Sequence, residues 1–148
     1  MTTTTIALMA HDSKKQELAE LIKAHLGCFA GSSLVATRNT GEIIRNCTGL
    51  NVTLVQSEAL GGDQQIGALV ATGIVKAVIF LRDPLTSQSH EPDVSALLRL
   101  CDVYNVPLAT NAGTAEAVFH LIFDHGEEMK EKQIEARFNN ELPLVRER

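Results

Sequence analysis

Five short apolar runs, at residues 6–10, 34–36, 52–55, 77–81 and 106–109, alternate with longer segments of helical period at 14–26, 41–47, 64–72, 92–104 and 114–123. This alternation is the tightest constraint on the fold. Runs that are apolar throughout, without an in-out alternation, read as strands buried on both faces. The segment 92–104 shows the helical signal well, with Val94, Leu97, Leu98 and Cys101 on one stripe and Pro92 suited to a first turn. Strands linked one by one through helices predict a three-layer α/β/α domain around a five-stranded, mostly parallel sheet. The domain is expected over residues 1–126. Residues 127–148 are rich in Glu, Lys and Arg. They read as a charged helix or tail, exposed or packed on a neighbouring subunit.

Composition narrows the partners. The net charge of −5 disfavours a nucleic acid held by phosphate contacts, and five Phe, one Tyr and no Trp leave little to stack bases on. Cys28, Cys47 and Cys101 match no metal-ligand spacing and suggest no disulfide framework. Their apolar neighbours suggest buried structural thiols in a reducing compartment. The N-terminus has no basic stretch ahead of its apolar run, so neither a signal peptide nor a membrane span is expected, and a cytoplasmic location follows as an expectation.

Parallel sheets bind ligands beyond the carboxyl ends of their strands. Polar residues follow every predicted strand: His11, Asp12 and Lys15 after the first, and Thr37, Arg38, Asn39 and Thr40 after the second. Ser57, Glu58 and Gly61-Gly62-Asp63 follow the third, Arg82 and Asp83 and then His90 and Asp93 the fourth, and Thr110 and Asn111 the fifth. All five clusters are expected on one rim. The Thr37–Thr40 turn is either a plain helix start, with Asn39 and Glu42 at capping-box spacing, or an anion site of hydroxyls and free N–H groups. Asp63 is either a helix-stabilising carboxylate or a base, with Gly61-Gly62 letting backbone approach a ligand. His90, in a loop beyond Asp83-Pro84, is placed to donate to a substrate oxygen. His25, His120 and His125 are given no role.

Together these residues resemble the methylglyoxal synthase family. The resemblance is carried by Ala10-His11-Asp12, the Thr-rich turn 37–41, SEALGGDQQIGALVATG at 57–73, Asp83-Pro84-Leu85 with HEPDVSALLRL ending at Leu100, and Ala109-Thr110-Asn111. It implies a lyase that converts dihydroxyacetone phosphate to methylglyoxal and inorganic phosphate without metal or cofactor. It further implies Asp63 as the base, His90 as the hydrogen-bond donor to the enediolate, and His11, Lys15, Thr37, Thr40 and Ser57 as the phosphate grip. Asp12, Asp83 and Asp93 would orient the histidines and basic groups. A homohexamer inhibited by phosphate is implied in the same way.

The chain departs from the family pattern in three places. Members usually have Ser-Gly-Pro where this chain has Ser57-Glu58-Ala59, and Thr-Gly-Thr-Thr where it has Thr37-Arg38-Asn39-Thr40. Glu58, if turned inward, sets a negative charge beside a phosphate. Arg38 either adds a cation there or pairs with Glu58. The arginine that members contribute from the chain end has only Arg146 and Arg148 as candidates. Two other readings stand beside the lyase: a non-catalytic regulatory domain sensing a phosphorylated metabolite, like that of carbamoyl phosphate synthetase, and an enzyme acting on a related phosphate.

Overall fold

The structure, a computed structural model, describes residues 3–123. The predicted tail at 127–148, with Arg146 and Arg148, lies outside the described residues. The strands are β1 (Thr5–Ala10), β2 (Ser33–Thr37), β3 (Val52–Val55), β4 (Val75–Leu81) and β5 (Leu108–Ala109). They form one sheet in the order β3-β2-β1-β4-β5, and all four pairings are parallel. The mostly parallel sheet expected from the sequence is therefore parallel throughout among the described residues.

The helices are α1 (Lys15–Ala24), α2 (Leu26–Phe29), α3 (Arg38–Thr48), α4 (Gly62–Ala71), α5 (Glu91–Val103) and α6 (Ala112–Phe123). One apolar layer joins Ile6, Leu8 and Ile79 to Leu18 and Ile22 of α1, Phe29 of α2, Ile44 of α3 and Phe119 of α6. The other joins Ala7, Met9, Val78 and Phe80 to Ile66 and Val70 of α4 and Val94, Leu97 and Cys101 of α5. Alternate residues of β1 and β4 thus enter opposite layers, as the period of two in a strand requires, and both faces of the sheet are buried.

Several local expectations are corrected. The first long helix does not run unbroken to Leu26: His25 leaves helical geometry and α2 restarts the chain as a single turn. A buried Phe29 anchors that turn among Phe119 and Phe123, at ring-centroid distances of 4.9 and 5.0 Å. The third helix begins at Arg38 rather than Gly41. Thr37, with extended ψ of 151°, is its N-cap, so Asn39 and Glu42 lie inside the helix and form no capping box. The last strand shrinks to Leu108–Ala109, and Val106 packs against the α4–α5 layer. Cys101 is buried as expected, whereas Cys28 is exposed on α2 and Cys47 half-buried. Burial pushes the Cys101 thiol up to about 11, leaving it protonated.

The turn into α4 fixes the position of Asp63. Gly61 has φ of 94°, a left-handed conformation that side chains disfavour, and its N–H closes on the Glu58 carbonyl at 3.1 Å. Gly62 donates to the Ser57 carbonyl at 2.9 Å, and a Cβ on it would collide with the Gln56 carbonyl. The close approach expected of this glycine pair is thus to the protein's own backbone at the end of β3. Gly62→Ala is expected to lower the stability by about 1–3 kcal/mol, since the colliding atom is backbone and cannot swing away. Urea unfolding followed by circular dichroism measures it; an unchanged midpoint would show that the turn yields.

Candidate active site

The strand order reverses direction between β1 and β4, and at such a switch point the loops leaving the two strands diverge and open a crevice. His11, the residue after β1, lies at this point. Its backbone N–H donates to the Leu81 carbonyl at 3.0 Å, and its Nδ1 accepts from the backbone N–H of Asp83 at 2.8 Å. Accepting at Nδ1 leaves the proton of the neutral ring on Nε2. The ring is buried edge-on against Phe80, at 5.1 Å between centroids, and its Nε2 has no hydrogen-bond partner among the described residues. Burial lowers its pKa, helped by the neighbouring His90 ring, so His11 is a neutral donor at Nε2.

Asp83 therefore orients His11 through its backbone, and its carboxylate instead takes the Ser13 hydroxyl at 2.8 Å. Asp12 touches no histidine. It holds Lys15 at 2.6 Å, a contact that lowers the Asp12 carboxyl, and Lys15 itself is buried at the start of α1 rather than spread into solvent. Asp93 accepts from the Gln64 side chain at 3.1 Å.

The second cluster converges on the same place. Thr37 and Thr40 are both buried at the N-terminus of α3, and the Thr40 hydroxyl has no partner among the described residues. Arg38 and Asn39, between them, face solvent. Arg38 lies 3.8 Å from Glu42 one turn along. The alternative pairing of Arg38 with Glu58 is not formed. Glu58 turns inward, accepting from the Thr37 hydroxyl at 3.1 Å and lying 3.6 Å from Nε2 of His90. Ser57 is half-buried and lends its carbonyl to the glycine turn.

His90 caps α5 and meets His11 at 5.9 Å between ring centroids; its Nε2 is buried without a hydrogen bond. Asp63, in the first turn of α4, is 1% exposed. One carboxylate oxygen accepts from the Gln64 N–H at 3.1 Å, while Oδ2 has no partner. Burial raises its pKa, with the nearby Asp93 charge adding to the effect and His90 opposing it. Four buried polar atoms without partners (His11 Nε2, Thr40 Oγ1, Asp63 Oδ2 and His90 Nε2) thus come from four different elements at one end of the sheet. Such atoms cost roughly 1–3 kcal/mol each in a folded protein. A cluster of them at a strand-end crevice is the signature of a ligand site.

The MGS-like domain family matches residues 17–110. The methylglyoxal synthase of Moorella thermoacetica is 56% identical over 120 residues, covering 81% of this chain and 94% of the relative. This chain belongs to the MGS-like family. The methylglyoxal synthase of Bacillus subtilis is 59% identical over 117 residues, 79% of this chain and 85% of that one. The crystal structure of methylglyoxal synthase from Elizabethkingia anophelis superposes with a TM-score of 0.75 at 42% identity, covering 79% of this chain and 77% of that one. The fold expected from the strand-helix alternation is thus that of the family.

Phe80 escaped the sequence reading, and Arg82, placed there on the rim, was given no role. Phe80 supports the His11 ring but sits in an apolar strand, with nothing to mark it. Arg82 pairs with Glu91 at 3.2 Å and keeps its Nε buried without a partner. Its place directly after a strand was the available signal. Among the described residues no cluster of His, Cys, Asp and Glu could hold a metal, and no helix is long and apolar enough to cross a membrane.

The raised Asp63 carboxyl has a consequence for stability. Between its ordinary range and its raised value the folded state binds the proton more readily than the unfolded chain, so this group makes stability fall as pH rises through that window. Asp63→Asn is therefore expected to melt higher than wild type at pH 7, with the difference vanishing below about pH 4, where both chains carry a neutral group. Thermal melts across this range test it; a variant less stable at pH 7 would show that the carboxylate is held favourably.

Proposed function

We propose that the protein is a methylglyoxal synthase, a carbon-oxygen lyase that converts dihydroxyacetone phosphate to methylglyoxal and inorganic phosphate. The observation that carries this reading is the Asp63 carboxylate: buried, one oxygen unpartnered, its basicity raised by burial, and grouped with two histidine Nε2 atoms. A sensor of phosphorylated metabolites needs an anion seat but no base. Membership of the family and 56–60% identity to proteins named methylglyoxal synthase support the same reading.

In this mechanism Asp63 removes a proton from the hydroxymethyl carbon, and the electron pair forms the double bond of an enediolate. His90 donates from Nε2 to the oxygens where negative charge develops, and His11 donates from its own Nε2 to the phosphate. The enediolate then expels phosphate as the C–O bond breaks, leaving the enol of methylglyoxal. The enol gains a proton at its methylene carbon and loses the one on oxygen to give the product, while Asp63 yields the abstracted proton to the departing phosphate or to solvent. Expulsion requires the C–O bond to stand out of the enediolate plane, where it overlaps the π system. Lys15, Thr37, Thr40, Ser57 and the N-terminus of α3 hold the phosphate in that orientation. Asp12 steadies Lys15, the Asp83 backbone steadies His11, and Asp93 keeps the Asp63 carboxylate basic through like-charge repulsion. Assembly into a homo-oligomer, inhibition by phosphate and a cytoplasmic location belong to the same proposal.

Incubation with dihydroxyacetone phosphate is expected to release methylglyoxal and phosphate in equal amounts. Asp63→Asn should lower kcat by about 10²–10⁴-fold, the usual worth of a positioned base. Binding without release would identify a sensor, and neither binding nor release an altered substrate. A variant that kept most of its activity would remove Asp63 from the role of base.

A further inference from the structure

Glu58 is an acidic group buried among the residues assigned to phosphate. Its side chain is 10% exposed. One oxygen accepts from the hydroxyl of Thr37, the N-cap of the eleven-residue helix α3, and the other faces His90 at 3.6 Å. The charged groups around it come from three elements: Lys15 of α1 and His90 at the head of α5 favour its charge, and Asp63 of α4 opposes it. Arg38, the residue after Thr37, is turned to Glu42 rather than to Glu58. A hydroxyl, a helix N-terminus, an ammonium and an imidazole are what a phosphate oxyanion requires. Here the Thr37 hydroxyl and the His90 imidazole already face a carboxylate, and the Lys15 charge favours it.

We propose that Glu58 is a specificity-determining residue whose carboxylate holds the phosphate seat as an internal anion, so that a dianion binds only as Glu58 takes up one proton from solvent. The proton neutralises the carboxylate, and the Glu58 O–H then turns from competitor to donor toward the incoming oxyanion. The anion site consequently gains affinity as pH falls, and discriminates against dianions at high pH. Burial already lifts the Glu58 carboxyl above its ordinary range, which brings this uptake closer to neutral pH. The inference rests on the reading of the rim as a phosphate-binding active site, and it makes the altered Ser57-Glu58-Ala59 segment a determinant of how that site works.

The test measures binding of inorganic phosphate, and of sulfate as an anion that stays doubly charged throughout, to the full chain and to Glu58→Gln and Glu58→Ala. Calorimetry at pH 8 is expected to show both variants binding each anion at least about tenfold more tightly, the direction set by removing a like charge a few ångströms away. For sulfate the gap should narrow as pH falls to 5, because wild-type Glu58 takes up protons as pH falls while the side chains that replace it do not titrate. Equal or weaker binding by both variants at pH 8 would overturn the proposal, as would a sulfate gap independent of pH. Turnover of dihydroxyacetone phosphate, assayed on the same samples, separates the two readings. No methylglyoxal from any of the three proteins would overturn the lyase assignment while leaving the anion measurements to decide on Glu58.

Discussion

The parallel pairing of β1 with β2 on one side and β4 on the other is the interaction on which the rest depends. Through it the residues after all three strands leave at the same end of the sheet, and the reversal of strand order beside β1 opens the crevice. The register runs straight into the site: Ala10 aligns with Leu81, the His11 N–H continues the ladder to the Leu81 carbonyl, and the next N–H, from Asp83, is captured by the His11 ring. A one-residue slip would exchange the two faces of β1, burying neither layer correctly, and would also leave the imidazole in the wrong tautomer. Core and chemistry are set by the same hydrogen bonds.

The glycine turn does for Asp63 what the ladder does for His11. Gly61 makes the left-handed turn and Gly62 seats the head of α4 against the Gln56 and Ser57 backbone just after β3, and the first-turn carboxylate is covered. A helix N-terminus would ordinarily favour the ionised carboxylate. Burial and the Asp93 charge win here, and the pKa is raised. The outcome is a carboxylate more basic than one in water, held by one hydrogen bond and open at its other oxygen.

Much of this was legible in the sequence because period and order are properties of the chain. All five strands and the rim of polar clusters followed from apolar runs and what comes after them. What was not legible depends on tertiary contact. The start of α3 moves back to Arg38 because Thr37 ends the ladder with β3 and leaves three residues free to wind. The turn of α2 exists because Phe29 finds two aromatic partners about ninety residues away in the chain. Exposure of Cys28 follows from the same turn, which buries Phe29 and leaves its neighbour outside. Arg38 and Glu58 look like partners on adjacent loops, yet once Arg38 is helical its side chain lies over Glu42, one turn away.

Two carboxylates in one small site must not carry the same burden. Both Asp63 and Glu58 are raised by burial, and the Asp63 charge adds to the shift of Glu58. Their surroundings separate them. Glu58 has the Thr37 hydroxyl and the Lys15 charge, both of which an anion would also use. Asp63 has Asp93 against it and an oxygen bound to nothing. A dianion arriving beside Lys15 takes away the support for Glu58 and, through repulsion, raises the basicity of both. In the arrangement proposed above, the proton that neutralises Glu58 also removes one of the negative charges facing Asp63. Asp63 is then left ionised opposite a neutral Glu58, the protonation state in which a base is ready to act.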